Sequence, residues 1–341
     1  MTTTNKSTRF KAVFRHLKTS NSVFLLDGGT GEELFRRGVP DDRKIWSANA
    51  LVHSQHHKTL QQVHTSFLKA GSDAITTNSY GVVPGVGFSD PEERSNYIQL
   101  AGRIARQSVT DGNGGNGFVF GSLGPLIESY RADLIRPHKD GVADYAVACR
   151  ALADHVDAFL AETMSCIEES KQVLEAVSNI YTSRPILLSF ALDENSNFRN
   201  DENVISGLKR LLAFVAASPK QEQIELLAVL FNCAKPEAIT TALKEIRADP
   251  ELSKQLDDSD IVLGAYANRM TDIDPEWTLA DSEEAQPFRK DLNEEQYWSF
   301  VESWIDPSIG VKIVGGCCGI TPEHIVYIRE KLNQGGMEPI R

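Results

Sequence analysis

Eight short apolar runs punctuate the chain: Val23–Leu26, Ala74–Thr76, Phe118–Gly121, Ala158–Ala161, Pro185–Ser189, Leu226–Asn232, Ile261–Ala265 and Val311–Val314. Most lack polar alternation, which predicts strands covered on both faces in a parallel sheet. Between them apolar positions return with helical period. In His57–Ala70, Leu60, Val63 and Phe67 fall at i, i+3 and i+7, and Gly71 follows as a natural C-cap. Asp144–His155, Glu168–Val177, Val204–Phe214, Pro236–Ile246 and Pro322–Leu332 read the same way, and two of them open with Pro at the first helical position. Strand and helix alternate throughout. Eight such units favour a closed (β/α)8 or TIM barrel over an open doubly wound sheet.

One barrel domain is expected over residues 21–335, flanked by a segment 1–20 and a tail 336–341. Two connections are long, 192–203 after the fifth strand and 268–293 after the seventh, the second acidic between Asp274 and Asp291. In this fold such loops form or roof a site at the strand C-termini. In the first segment Phe10, Val13, Phe14 and Leu17 share one side of an amphipathic helix suited to plugging the barrel bottom. Lys6, Arg9, Lys11, Arg15 and Lys18, with no acid before Asp27, also give it the composition of an organelle transit peptide. Gly112–Gly117 has G-x-G-x-x-G spacing but precedes a strand instead of following one, which excludes a dinucleotide loop.

Composition narrows the partners. Lys and Arg total 35 against 47 Asp and Glu in 341 residues, a net charge of −12 that repels nucleic acid and anionic membrane and tolerates cationic substrates. No apolar run reaches the ~20 residues of a membrane span. Five cysteines, an odd number in a long chain, suit free thiols in a reducing compartment such as the cytoplasm.

Candidate chemistry lies where the apolar runs end, at Asp27, Thr77, Asn78, Ser122, Glu162, Asn232, Cys233, Asn268, Cys317 and Cys318. Soft thiolates favour zinc, and a set of three leaves a fourth position open. The spacing of Cys233, Cys317 and Cys318 matches no zinc finger, so it leaves metal binding and core packing both open. Asp27 stands in Leu26–Gly31 (LDGGTG), where Gly28 and Gly29 permit close approach of a ligand. Read alone, it is an Asp–Gly turn. Thr30–Glu33 has the form of a capping box whose helix offers free N–H groups to a carboxylate. Glu162 either projects into the barrel mouth or caps the next helix. Two acids with those donors suit an amino acid, its ammonium on Asp27 and Glu162. His53, His56 and His57 lack the H-E-x-x-H pattern and read as solvated, and Cys149 and Cys166 read as packing.

Together Leu26–Thr30, Ile45–Ala48, Ala70–Tyr80, Gly121–Pro125, Ala161–Thr163, Phe231–Cys233 and Gly315–Gly319 resemble the homocysteine S-methyltransferase family, over residues 20 to 333. The resemblance implies a zinc-dependent (β/α)8 barrel with Cys233, Cys317 and Cys318 on Zn2+ and Asp27 and Glu162 on homocysteine. Gly28, Gly29, Asn78 and Asn232 join the substrate side. Implied is methyl transfer to the zinc-bound homocysteine thiolate, forming methionine. A compact barrel with about one helix after Cys318 looks most like members that use S-methylmethionine or S-adenosylmethionine, a sulfonium that Trp46 or Tyr80 can meet by cation–π attraction. Alternatives are betaine or methylfolate as donor, selenocysteine as acceptor, another thiol methyltransferase, or a non-catalytic zinc-binding protein. The partners expected are small molecules, for a monomer or weak homodimer.

Overall fold

The computed structural model describes residues 3–112, 114–180, 184–218, 224–271, 278, 287–337 and 340. Its strands are β1 (Phe24–Leu25), β2 (Ala74–Thr76), β3 (Phe118–Leu123), β4 (Ala158–Met164), β5 (Ile186–Phe190), β6 (Leu226–Asn232), β7 (Val262–Tyr266) and β8 (Ile313–Val314). All pair in parallel, in the order β1-β8-β7-β6-β5-β4-β3-β2. Backbone and side-chain bonds together close the remaining seam between β1 and β2. Asp73 N donates to Leu25 O at 2.7 Å, Leu25 N donates to Asp73 Oδ2 at 2.8 Å, and Thr76 N donates to Asp27 Oδ2 at 2.7 Å. Helices alternate with the strands, and the eight-unit reading of the apolar runs holds as a (β/α)8 barrel.

Alternation along each strand separates two layers. Phe24, Phe118, Phe120, Leu160, Leu187 and Leu230 point into the barrel, whereas Leu25, Val119, Phe159, Leu188 and Val229 face the surrounding helices. The inner layer continues into helix α1 (Thr3–Thr19), whose Phe10, Phe14 and Leu17 are buried at the N-terminal end of the strands. Phe10 lies 5.3 Å, centroid to centroid, from both Phe118 and Phe120. The chain's other end docks nearby. Ile340 N donates to Asp73 Oδ1 at 3.0 Å, and Arg329 Nη2 donates to Asp73 Oδ2 at 2.7 Å.

The helix His57–Ala70 ends at Gly71, whose φ of 105° requires glycine. Among the described helices of nine residues or more, three lie outside the segments read as helical from sequence: Pro91–Gly112, Pro250–Asp258 and Glu294–Ile305. Another, His138–Leu152, begins six residues before Asp144, directly after Pro137. The expected capping box also fails. Helix α2 (Thr30–Arg36) takes Gly29 as its N-cap with no side-chain bond, because Thr30 is already helical and Glu33 is bound by Arg36 and Arg37. After β7 a bridge pairs Met270 with Phe288, and most of the acidic stretch from Asp274 to Asp291 lies outside the described residues. No helix among the described residues is long and apolar enough to cross a membrane.

Candidate active site at the barrel mouth

A single cavity at the C-terminal ends of the strands gathers Asp27, Gly28, Gly29, Trp46, Asn78, Tyr80, Glu162, Cys233, Cys317 and Cys318 along its walls. Each arrives there for a local reason. β4 breaks register with β5 between Ala161 and Met164, and Thr163 takes φ 61°; this bulge turns Glu162 into the mouth. Glu162 accepts from Ser122 Oγ at 2.5 Å and from Tyr266 OH at 3.3 Å. Asp27 accepts from Thr76 N at 2.7 Å and Thr76 Oγ1 at 2.9 Å. Burial pushes Asp27 up to about 6 and Glu162 to about 7, the second helped by the charge of the first. A buried and a half-buried carboxylate held this way favour a cation beside them.

The cysteines converge from two strand ends. Cys233, at φ 45° just past β6, and Cys317, past β8, have Cα atoms 5.6 Å apart. Cys318 Sγ lies 3.8 Å from Cys233 Sγ, and all three sulfurs fall within 4.8 Å of one another. In this structure Cys233 and Cys317 form a disulfide, which corrects the expectation of five free thiols. The physical reason is the convergence itself, since two cysteines at that separation are within disulfide reach. Reduction frees two thiols beside that of Cys318, a set of three whose number, softness and spacing fit a zinc ion with an open position. Among the described residues this is the one group of three metal-ligating side chains so placed. His53, His56 and His57 form no such group, and Cys149 and Cys166 are buried apart from it.

The asparagines are consumed by the scaffold. Fully buried Asn232 accepts from Thr163 N at 2.9 Å and Ser189 Oγ at 2.7 Å, and its Nδ2 donates to Thr163 Oγ1 at 2.9 Å and faces Cys317 Sγ at 3.8 Å. Asn78 Nδ2 donates to Ser47 O at 2.9 Å, steadying the turn that carries Trp46. Gly28 serves close backbone approach, for a Cβ there would stand 2.3 Å from Ile320 O. Trp46, at φ 45°, meets Tyr80 edge-on with centroids 5.9 Å apart, and Gly31 leaves space for the indole.

Sequence reasoning passed over Glu32, Tyr130, Tyr266, Met270 and Phe288, which also line the cavity. Tyr130 and Phe288 come from irregular segments without periodicity. Glu32 reads from sequence as an ordinary acid in a first helical turn. In the structure it turns inward to the Cys318 thiol, which burial and this neighbouring carboxylate push well above the usual thiol range.

Three cysteines that could hold a metal ion, flanked by two acids, stand at the mouth of a (β/α)8 barrel, where enzymes of this fold carry their active sites. The model of the homocysteine S-methyltransferase family matches residues 24–332, and the chain belongs to that family of methyltransferases. Among similar proteins, the betaine-homocysteine S-methyltransferase of Drosophila melanogaster is 26% identical, with 82% of this chain and 84% of the relative covered. Homocysteine S-methyltransferase 2 of Arabidopsis thaliana is 26% identical over 95% of this chain and 97% of its own. The metallated homocysteine methyltransferase MmuM of Escherichia coli shares the fold at TM-score 0.69 and 22% identity, covering 91% of this chain and 96% of that one.

Proposed function

We propose that the protein forms methionine by moving a methyl group from a sulfonium donor, S-methylmethionine or S-adenosylmethionine, to homocysteine, with zinc held by Cys233, Cys317 and Cys318. The observation that carries this reading is the meeting of three cysteine sulfurs within 4.8 Å of one another in a cavity walled by the carboxylates of Asp27 and Glu162. When bound there, zinc favours the thiolate form of homocysteine at neutral pH.

The chain's own residues do the rest. Asp27 and Glu162 take the substrate ammonium and fix the amino-acid end. Asn232 braces the Thr163 bulge behind Glu162, and Gly28, Gly29 and Asn78 shape the wall beside it. Trp46 and Tyr80 offer aromatic surface to the sulfonium. Homocysteine sulfur forms a bond to the methyl carbon as the donor's S–CH3 bond breaks, and the donor leaves as a neutral thioether. The thiol proton has by then passed to solvent. No covalent bond to the protein is needed, so the protein contributes positioning. A reducing compartment keeps the cysteines available.

The test is methionine formation by reduced, zinc-loaded protein with S-methylmethionine, S-adenosylmethionine, betaine and methylfolate side by side. A sulfonium is expected to exceed betaine and methylfolate at least tenfold in kcat/KM. Preference for betaine or methylfolate would contradict the reading.

A further inference from the structure

Glu32 has no part in the chemistry above, yet it stands in the same cavity. Its neighbour Glu33 is paired with Arg36 and Arg37. Glu32 faces the other way, its carboxyl group accepting from the Cys318 thiol and the Gly319 N–H, and its Oε2 is shut from solvent. No lysine or arginine among the described residues pairs with it. Asp41, also on the cavity wall, is paired with Arg43 at 3.0 Å. Asp27 and Glu162 are engaged by Thr76, Ser122 and Tyr266. A half-buried carboxylate lacking a counter-ion is costly, and a cation brought by a ligand relieves the cost.

We infer that Glu32 is a specificity-determining residue that attracts the positive charge of the methyl donor to the Cys318 side of the cavity and selects cationic donors over neutral ones. This rests on the reading that the donor is a sulfonium. The sulfonium keeps most of its charge until the methyl group has left, so a fixed carboxylate stabilises bound donor and transition state alike. Its contribution therefore appears in donor KM and not in kcat.

The experiment compares wild type with Glu32→Gln and Glu32→Asp, each reduced and zinc-loaded. In Glu32→Gln the KM for S-methylmethionine is expected to rise at least tenfold with kcat within threefold, and Glu32→Asp to stay near wild type. Zinc content and homocysteine KM should hold. Methylation of bound homocysteine by methyl iodide, a neutral donor, should keep its rate in Glu32→Gln. An unchanged donor KM would overturn the inference, as would a parallel fall with methyl iodide, which would place Glu32 on the sulfur instead. Calorimetry on wild type with homocysteine bound gives an arm independent of turnover and of variant folding. Choline should bind at least tenfold tighter than its uncharged carbon isostere 3,3-dimethylbutan-1-ol, and equal binding would also overturn it. If wild type uses no sulfonium while choline binds selectively and Glu32→Gln abolishes that preference, the donor assignment fails and cation selection at Glu32 stands.

Discussion

The two ends of the barrel are built from the same strands and treat them in opposite ways. At the N-terminal end Phe10, Phe14 and Leu17 of α1 close against Phe24, Phe118 and Phe120, an aromatic plug without a buried charge of its own. At the C-terminal end the cavity wall carries four non-glycine residues with left-handed backbone, Trp46, Tyr130, Thr163 and Cys233. Each such conformation costs on the order of 1–3 kcal/mol, and there the carboxylates of Asp27 and Glu162 also resist ionisation. One end supplies stability that the other spends on placing sulfur and oxygen atoms. Substitutions at the two ends should therefore separate cleanly into effects on folding and effects on activity.

The largest effect is expected at the thiols. Cys318→Ala should lower zinc from about one equivalent to well below half by atomic emission, and kcat/KM by at least about 10³-fold, with little change in melting temperature. Retained activity without zinc would break the comparison. At the opposite end Phe10→Ala removes a fully buried ring and should cost about 3–5 kcal/mol in urea unfolding, while KM for homocysteine and donor stays within twofold. A large change in KM would show that the two ends are coupled.

The carboxylates predict a pH dependence of definite sign. Their pKa values in the fold lie above the ordinary carboxylate range. The stability linked to their neutral forms is thus complete at low pH and lost as pH rises through about 6 for Asp27 and about 7 for Glu162. Holding an ammonium needs the ionised forms. Methionine, which has no thiol to titrate, should bind roughly tenfold tighter at pH 7.5 than at pH 5.5, and Glu162→Gln should flatten the profile. A flat wild-type profile would separate these acids from the amine. The smallest effect concerns Trp46. Trp46→Ala should raise donor KM by about threefold to tenfold, the scale of one partly buried cation–π contact, and unchanged donor KM and kcat would oppose its contact with the sulfonium.

The strands were legible because a barrel strand covered on both faces is a continuous apolar run, and seven of the eight runs end within two residues of an observed strand end, the exception being Ala158–Ala161, which stops three residues short of Met164. Pro91–Gly112 was harder to read, since its buried face rests on small residues, Ala101, Gly102, Ala105 and Ser108, that carry little hydropathic signal. Glu294–Ile305 follows directly on the acidic connection and merges with it in composition. In the site, residues at strand ends were visible because the fold fixes where those ends point. Glu32, Tyr130 and Phe288 were not, because their direction depends on turns that no periodicity encodes. The disulfide was hidden for a related reason. Cys233 and Cys317 are 84 positions apart, and only barrel closure brings them together.

The central claim is that Cys233, Cys317 and Cys318 jointly hold one metal ion with a place left for the substrate's sulfur. X-ray absorption at the zinc edge of the reduced protein tests it most directly, before and after homocysteine is added. The account predicts three sulfur neighbours rising to four; two or fewer at the start, or no gain on adding homocysteine, would contradict it.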